Sequence, residues 1–123
     1  MDCFIAKNKE TITLEKTREL AFGQLFYKIS AYNSKKEQMG IITYGQCHIF
    51  LLNVPKNSQL QGIGSQLFRH ALFDLAEQGC QDAKWLALGS SEKFYRRQNP
   101  PVEVNPHSLN DYRVQMCMPL HKF

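Results

Sequence analysis

The chain has 123 residues, of which 43% are hydrophobic, and this size suits one compact domain spanning residues 1–123. Its net charge of +4 comes from 15 Lys and Arg against 11 Asp and Glu, and the two signs are interspersed. Nucleic-acid-binding proteins gather positive charge on one face or tail, so this pattern disfavours a nucleic-acid partner. The chain has no apolar run of transmembrane length and no apolar signal-peptide core. We therefore expect a cytoplasmic protein without a membrane partner.

The four cysteines, Cys3, Cys47, Cys80 and Cys117, are widely spaced and form no C-x-x-C pair. Zinc sites need ligands at short spacing, and disulfide scaffolds carry cysteines at higher density. We therefore predict no metal site. The cysteines themselves are predicted to be reduced and buried, where they pack like small hydrophobic side chains.

The N-terminal part of the chain predicts mainly strands. Residues 11–14 alternate between apolar and polar, which is typical of a strand. Residues 14–20 fit a strand or a short helix, and we predict the helix. Residues 25–32 and 39–44 are rich in aromatic and β-branched side chains, so they predict two strands joined by a turn.

The central segment predicts a strand, a helix and a second strand. Residues 47–54 are an almost unbroken apolar run that ends at Pro55, as in a central strand covered on both faces. Apolar residues recur at helical spacing over residues 62–79, with Gly79 placed to cap the helix end. Residues 85–88 predict a buried strand, which lies parallel to the first because the helix crosses over.

The C-terminal part predicts one more short helix and two strands. The helix includes residues 94–97 and stops before Pro100, and the strands fall at residues 102–104 and 113–120. The predicted fold class is therefore α/β, with a mixed, mostly antiparallel central sheet that contains one parallel βαβ unit.

Residues 59–67, which read Gln-Leu-Gln-Gly-Ile-Gly-Ser-Gln-Leu, connect the apolar strand to the helix. Glycines at such a turn let the backbone approach a ligand closely, and the helix N-terminus adds unpaired N–H groups and a positive dipole end. This combination predicts a phosphate or pyrophosphate site. A P-loop requires a lysine after its last glycine, and Ser65 follows Gly64 here. A dinucleotide-binding fingerprint requires a third glycine, and Leu67 stands in its place.

Two motifs together resemble the GNAT superfamily of acyl-coenzyme A N-acyltransferases. Gln59-x-x-Gly62-x-Gly64, after a strand ending in Val-Pro, is similar to the family's coenzyme A pyrophosphate motif. Residues 91–100, with their Phe-Tyr pair, are similar to its A-x-x-F-Y-x-x-x-G-F segment, although Asn-Pro stands where the family has Gly-Phe. The family also has two helices between its first two strands, and few residues are available for them here.

The resemblance implies a GNAT-like fold with acetyl-coenzyme A as co-substrate. It implies that backbone groups of Leu52, Asn53 and Val54 meet the pantetheine arm. It also implies that the pyrophosphate is held by the loop and helix start, namely Gln59, Leu60, Gln61, Gly62, Ile63, Gly64 and Ser65. The basic side chains Lys93, Arg96 and Arg97 fit either a contact with the coenzyme 3′-phosphate or plain solvation, and solvation is the simpler interpretation.

Two residues are candidates for catalysis. Tyr95 matches the family's tyrosine, whose hydroxyl can protonate the departing thiolate, and simple packing is the alternative. Counting back from Gln59 places His48 where some members, the histone acetyltransferases among them, carry a glutamate base. An unperturbed histidine titrates near neutral pH, and water is the alternative proton acceptor. Strict strand alternation would place His48, Phe50 and Leu52 on one face. The other histidines, His70, His107 and His121, are predicted to be solvated.

The sequence therefore predicts direct transfer of an acyl group, with acetyl as the favoured group, from acyl-coenzyme A to an amine of a small molecule or peptide. Neither a metal nor a covalent intermediate is expected. The alternative is a non-catalytic acyl-coenzyme A-binding protein of the same fold. A homodimer is compatible with this prediction, and the sequence does not name the acceptor.

Overall fold

A computed structural model describes residues 2–56, 59, 62–88, 94–95, 97, 103–104 and 113–120. Within them the chain forms one long helix and a single mixed sheet. The elements in chain order are β1 (Asp2–Ile5), β2 (Thr11–Ala21), β3 (Gln24–Tyr32), β4 (Gln38–Gly45), β5 (His48–Asn53), α1 (Ile63–Glu77), β6 (Asp82–Leu88), β7 (Glu103–Val104) and β8 (Arg113–Pro119).

The described strands form an eight-stranded sheet in the order β1-β2-β3-β4-β5-β6-β8-β7. Strands β5 and β6 are parallel and α1 connects them, whereas the other neighbouring strands pair antiparallel. This arrangement confirms the predicted fold class, including the parallel βαβ unit. No helix among the described residues is long and apolar enough to cross a membrane.

The helix predicted over residues 14–20 is wrong, because these residues continue β2. They pair with β3 in an unbroken register from Thr13↔Tyr32 to Ala21↔Gln24. The side chains of residues 15–20 are exposed, so a helix here would have had no apolar face to bury. Pairing with β3 satisfies the backbone instead. Residues 2–53 consequently form only strands and turns.

Helix α1 covers one face of the sheet, and its apolar side forms the core with β3 and β4. Its buried residues are Ile63, Leu67, Phe68, Ala71, Leu72 and Leu75. Gly40 of β4 allows the close approach, since a Cβ there would lie 3.0 Å from Leu67 Cδ1. The helix ends as predicted at Gly79, whose φ of 93° is left-handed, and Cys80 N donates to Leu75 O over 3.1 Å.

Strand β5 is not covered on both faces, which corrects the prediction for this apolar run. Phe50 and Leu51 are 53% and 48% exposed. Only Ile49 is fully buried within β5. An apolar run is ambiguous in this respect, because hydrophobic side chains also line surfaces that bind ligands.

A β-bulge also corrects the predicted alternation of side chains along β5. Tyr44 is paired with Ile49 and Thr43 with Leu51, which leaves Phe50 as the extra residue. After the bulge, Leu52 returns to the face of α1 and packs against the core. His48 and Phe50 therefore share the opposite face without Leu52, and their ring centroids lie 6.4 Å apart.

The prediction of reduced, buried cysteines is wrong for Cys47 and Cys80, which are oxidised, and for Cys3, which is exposed. Cys47, in the β4–β5 turn, and Cys80, after α1, form a disulfide with a Cα–Cα distance of 5.7 Å. The other two differ from each other, since Cys3 is exposed and Cys117 is partly buried. Spacing along the sequence gave no signal of the bond, because the crossover helix brings together residues that are 33 positions apart.

Candidate active site

The opening between β5 and β6 is the main feature of the candidate site. Their ladder has one register pair, His48↔Lys84, and Lys84 N donates to Cys47 O over 3.1 Å. The bulge at Phe50 bends β5 just beyond this point. The rest of the β5 edge toward β6, which includes Leu52 and Asn53, has no ladder partner among the described strands. An extended ligand could pair with this edge as a strand would.

The N-terminus of α1 lies after the end of β5 and can bind an anion. Gly62 is the N-cap residue, with a left-handed φ of 85°, and no side chain among the described residues caps the helix. The first turn contains no acidic residue, and a Cβ at Gly62 would meet nothing within 4 Å. The N–H groups of Ile63, Gly64 and Ser65 are therefore available to a negatively charged group. Leu60 and Gln61 lie outside the described residues.

Gln59 and Val54 hold the loop between β5 and α1. The Gln59 side-chain amide Nε2 donates to Val54 O over 3.0 Å. This bond occupies the Val54 carbonyl, and the Val54 side chain packs against the core. Gln59 therefore shapes the loop, which is a positioning contribution to the predicted pyrophosphate site.

The two motifs that suggested the family resemblance meet in space. A Cβ at Gly64 would lie 3.2 Å from Phe94 Cε1 and 3.5 Å from Val54 Cγ2. The absence of a side chain at Gly64 thus lets Phe94 pack against the start of α1. This packing is a separate reason for glycine there, besides close approach of a ligand.

Tyr95 is buried in an aromatic cluster between α1 and β6. Its ring centroid lies 5.1 Å from that of Trp85 and 5.5 Å from that of Phe68. Burial raises the pKa of Tyr95 to about 12, so the hydroxyl keeps its proton at neutral pH. The Trp85 Nε1 beside it is buried and has no hydrogen-bond partner among the described residues. Buried donors are normally paired, so this N–H is available to an acceptor that enters the cluster.

His48 lies at the closed end of the opening, on the other face of the sheet. Its Nδ1 is 2.7 Å from Gln46 O, and the side chain is exposed. His48 shares a face with its register partner Lys84, whereas the next residue, Trp85, points toward α1 and Tyr95. The candidate base and the candidate acid thus approach the end of the opening from opposite faces.

A polar network that the sequence analysis missed links the strands to α1. The Tyr44 hydroxyl donates to Asp74 Oδ2 over 2.5 Å, and Lys16 Nζ lies 2.7 Å from the same oxygen. These side chains, with the partly buried His70, line a groove of about 660 Å³. His70 is therefore not simply solvated. A tyrosine and a carboxylate that are far apart in sequence gave no local signal of this contact.

The remaining candidates add little to the site. Arg97 is exposed, and Lys93, Arg96, His107 and His121 lie outside the described residues. In the described part of the chain, no three His, Cys, Asp or Glu side chains come together as metal ligands.

Comparisons with known proteins locate this arrangement in one fold. No protein-family model matches the sequence, and no curated protein matches it. Solved structures do match. A protein from Klebsiella pneumoniae assigned as an acyl-CoA N-acyltransferase superimposes with a TM-score of 0.68 at 12% identity, covering 88% of this chain and 98% of the other.

Two further matches are structures with coenzyme A bound. The PaiA N-acetyltransferase of Thermoplasma acidophilum matches with a TM-score of 0.65 at 13% identity, over 76% of this chain and 60% of the other. The spermidine N-acetyltransferase of Vibrio cholerae, in complex with CoA and spermine, matches with a TM-score of 0.62 at 10% identity, over 79% and 67%.

These similarities confirm the predicted fold. The protein has the fold of the GNAT superfamily of N-acyltransferases. As expected for it, a helix that begins at a glycine connects two parallel strands, β5 and β6, and an opening lies between these strands. The chain spans less than two thirds of the length of some matched enzymes, such as a nourseothricin acetyltransferase, of which it covers 65%.

Proposed function

We propose that this protein transfers an acyl group, with acetyl as the expected group, from acyl-coenzyme A to an amine. The observation that carries the proposal is the single register pair between β5 and β6, next to a helix N-terminus that no side chain of the described residues caps. An extended pantetheine arm fits along the open edge of β5, at Leu52 and Asn53. A pyrophosphate fits at the N–H groups of residues 62–65. Two enzymes with this fold were solved in complex with coenzyme A, which supports a coenzyme A derivative as the ligand.

The proposed chemistry moves protons at the amine and at the leaving group. The ammonium form of the amine loses a proton to His48 or to water, and its nitrogen then bonds to the thioester carbonyl carbon. The C–S bond breaks, the nitrogen loses its second proton to solvent, and the departing thiolate takes a proton from the Tyr95 hydroxyl. The resulting phenolate takes up a proton from solvent, which restores Tyr95. The buried surroundings of Tyr95 disfavour a phenolate, and a thiolate formed in the same surroundings would be disfavoured for the same reason, which makes it a stronger base.

Two glycines with similar backbone conformations, Gly62 and Gly23, allow a controlled test of coenzyme binding. Gly62→Asp places a carboxylate where the pyrophosphate is proposed to bind, and we expect a loss of acetyl-coenzyme A affinity of roughly 100-fold or more. Gly23→Asp is the matched control. Gly23 also has a left-handed φ, 74°, and open space around its missing Cβ, but it lies in the β2–β3 turn. Isothermal titration calorimetry of the wild type and both variants measures the effect. Absence of saturable wild-type binding, or equal losses in the two variants, contradicts the proposal.

The second candidate function is acyl-coenzyme A binding without catalysis. Residues 2–53 form only strands and turns, so the two helices that the family has between its first two strands are absent from this described range. A panel of small amines and lysine peptides, assayed by release of the coenzyme thiol, separates the two functions. Thiol release that depends on an amine supports the enzyme, and tight binding without such release supports the binding protein.

A further inference from the structure

The Cys47–Cys80 disulfide closes a ring around the proposed coenzyme site. Cys47 immediately precedes β5, Cys80 follows α1, and 33 positions separate them. The ring contains β5, the loop held by Gln59, and the glycine-led start of α1. Because a cross-link limits the arrangements of the chain between its ends, this bond restrains the parts that would hold the coenzyme.

The disulfide also lies at the closed end of the opening. The Lys84 N–H to Cys47 carbonyl bond and the His48↔Lys84 pair join β5 and β6 at this point. The covalent bond reinforces this short join, because Cys47 precedes β5 and Cys80 lies just before β6. Cleavage would leave the separation of β5 and β6 dependent on these few backbone contacts.

The turn that carries Cys47 has an unfavourable backbone conformation. Gln46 and Cys47 both have positive φ values, 52° and 62°. Non-glycine residues adopt this region at an energetic cost, and turns of this type usually contain Asn or Gly. The cross-link holds Cys47 in place, so its cleavage allows the turn to relax and the start of β5 to move.

Cys80 can be reached from solvent. It lines a surface groove of about 470 Å³ with Ala76, Gly79, Gln81 and Leu120. Both cysteines of the disulfide are partly exposed. Thiol–disulfide exchange requires an attacking thiolate to contact one sulfur, and the groove gives a small dithiol that access.

We propose that this disulfide is a redox switch on coenzyme affinity, an inference that rests on the proposed function. A thiolate of a dithiol reductant bonds to Cys80 Sγ, and Cys47 leaves as a thiolate that takes up a proton. The second thiol of the reductant then attacks the reductant's first sulfur, which is bonded to Cys80 Sγ in the mixed disulfide. This step releases Cys80 as a thiol and leaves the reductant as a cyclic disulfide, so two electrons pass to the protein. The oxidised protein binds the coenzyme tightly, and the reduced protein binds it weakly.

The test compares coenzyme affinity in the two redox states. The probe is desulfo-coenzyme A, which carries no thiol, and the background is Cys3→Ser, which removes an exposed cysteine outside the disulfide. We expect reduction with dithiothreitol to raise the dissociation constant roughly 10-fold, within the usual range for coupling between sites. The double variant Cys47→Ser/Cys80→Ser should bind like the reduced protein and should not respond to dithiothreitol.

Two structural measurements accompany the titration. Circular dichroism should show that the reduced protein remains folded, and hydrogen exchange at the Lys84 amide should accelerate on reduction while the amides of α1 keep their protection. Equal affinities in the two states, a disulfide that dithiothreitol does not reduce in the folded protein, or global unfolding on reduction would each overturn the switch and leave the proposed function intact. Absence of desulfo-coenzyme A binding in both states would overturn both.

Discussion

The N-terminal half of the sheet, which contains β2 and β3, differs from the half with β5 and β6 in how completely neighbouring strands are paired. Strands β2 and β3 pair continuously from Thr13↔Tyr32 to Ala21↔Gln24, whereas β5 and β6 share only His48↔Lys84. Complete strand pairing between β2 and β3 satisfies the backbone of the first region and leaves no unpaired edge between these strands. In the second region, a bulge and a crossover leave part of a central strand edge open. The proposed coenzyme site therefore lies where the ladder is interrupted rather than in the regular part of the sheet.

Two buried tyrosines, Tyr44 and Tyr95, differ in what raises the pKa of their hydroxyl groups. Burial first, and then the hydrogen bond to Asp74, raises the pKa of Tyr44, which thus has a fixed structural partner. Burial alone raises the pKa of Tyr95 to about 12. We infer that the Tyr44 hydroxyl proton is held in a structural hydrogen bond, and that the Tyr95 hydroxyl proton is available for transfer to a leaving group.

Replacing Tyr95 by Phe should have the largest effect among the variants that test this difference. We expect turnover to fall about 100-fold, which is the lower end of typical general-acid contributions, and coenzyme affinity to stay within about twofold. The substitution removes one hydroxyl and keeps the ring that packs on Trp85 and Phe68. Steady-state kinetics and calorimetry measure the two quantities. Unchanged turnover, with the chemical step shown to be rate-limiting, would make Tyr95 a packing residue only.

The same variant should change how stability depends on alkaline pH. An unfolded tyrosine ionises near pH 10, whereas Tyr95 in the folded protein ionises near 12. Between these values the folded state holds the extra proton, so stability is lost as pH rises. The wild type should lose about 2 kcal/mol more than Tyr95→Phe between pH 9 and 12, as measured by urea denaturation. Parallel losses in the two proteins would contradict the buried, protonated state of Tyr95.

Replacing Tyr44 by Phe should have the opposite profile. It removes the hydrogen bond to Asp74, and a bond to a charged group contributes about 2 kcal/mol to the free energy of unfolding. Asp74 keeps its ion pair with Lys16, so the fold should survive. We expect unchanged turnover and coenzyme affinity, with the loss confined to urea denaturation. A drop in affinity comparable to that of Gly62→Asp would show that the two regions are energetically coupled.

Replacing His48 by Gln should have the smallest effect. We expect a decrease in turnover of about 10-fold, because water can take over part of the proton transfer. Because His48 is exposed and its neighbour Phe50 is half-exposed, stability should change little. Steady-state kinetics measures the decrease, and equal turnover in the two proteins would assign the proton transfer to water.

Local sequence signals were reliable where one element decides its own conformation. The helical spacing of apolar residues predicted α1, and Gly79 predicted its end. The prediction failed at residues 14–20, where polar residues are compatible with either structure and pairing with β3 decides. Among the site residues, the glycine pair predicted the helix start correctly, but it did not reveal that Gly64 accommodates Phe94.

By itself, the sequence determined the order of elements from β3 to β6, the parallel crossover and the glycine-led helix start, because these depend on the periodicity and backbone freedom of neighbouring residues. Only the tertiary structure decided the exposure of Phe50, the bulge that separates it from Leu52, the Cys47–Cys80 bond and the Tyr44–Asp74 contact. Each of these joins or separates residues through strand pairing or helix crossover. Their physical cause is the register between elements, which no single segment of the chain encodes.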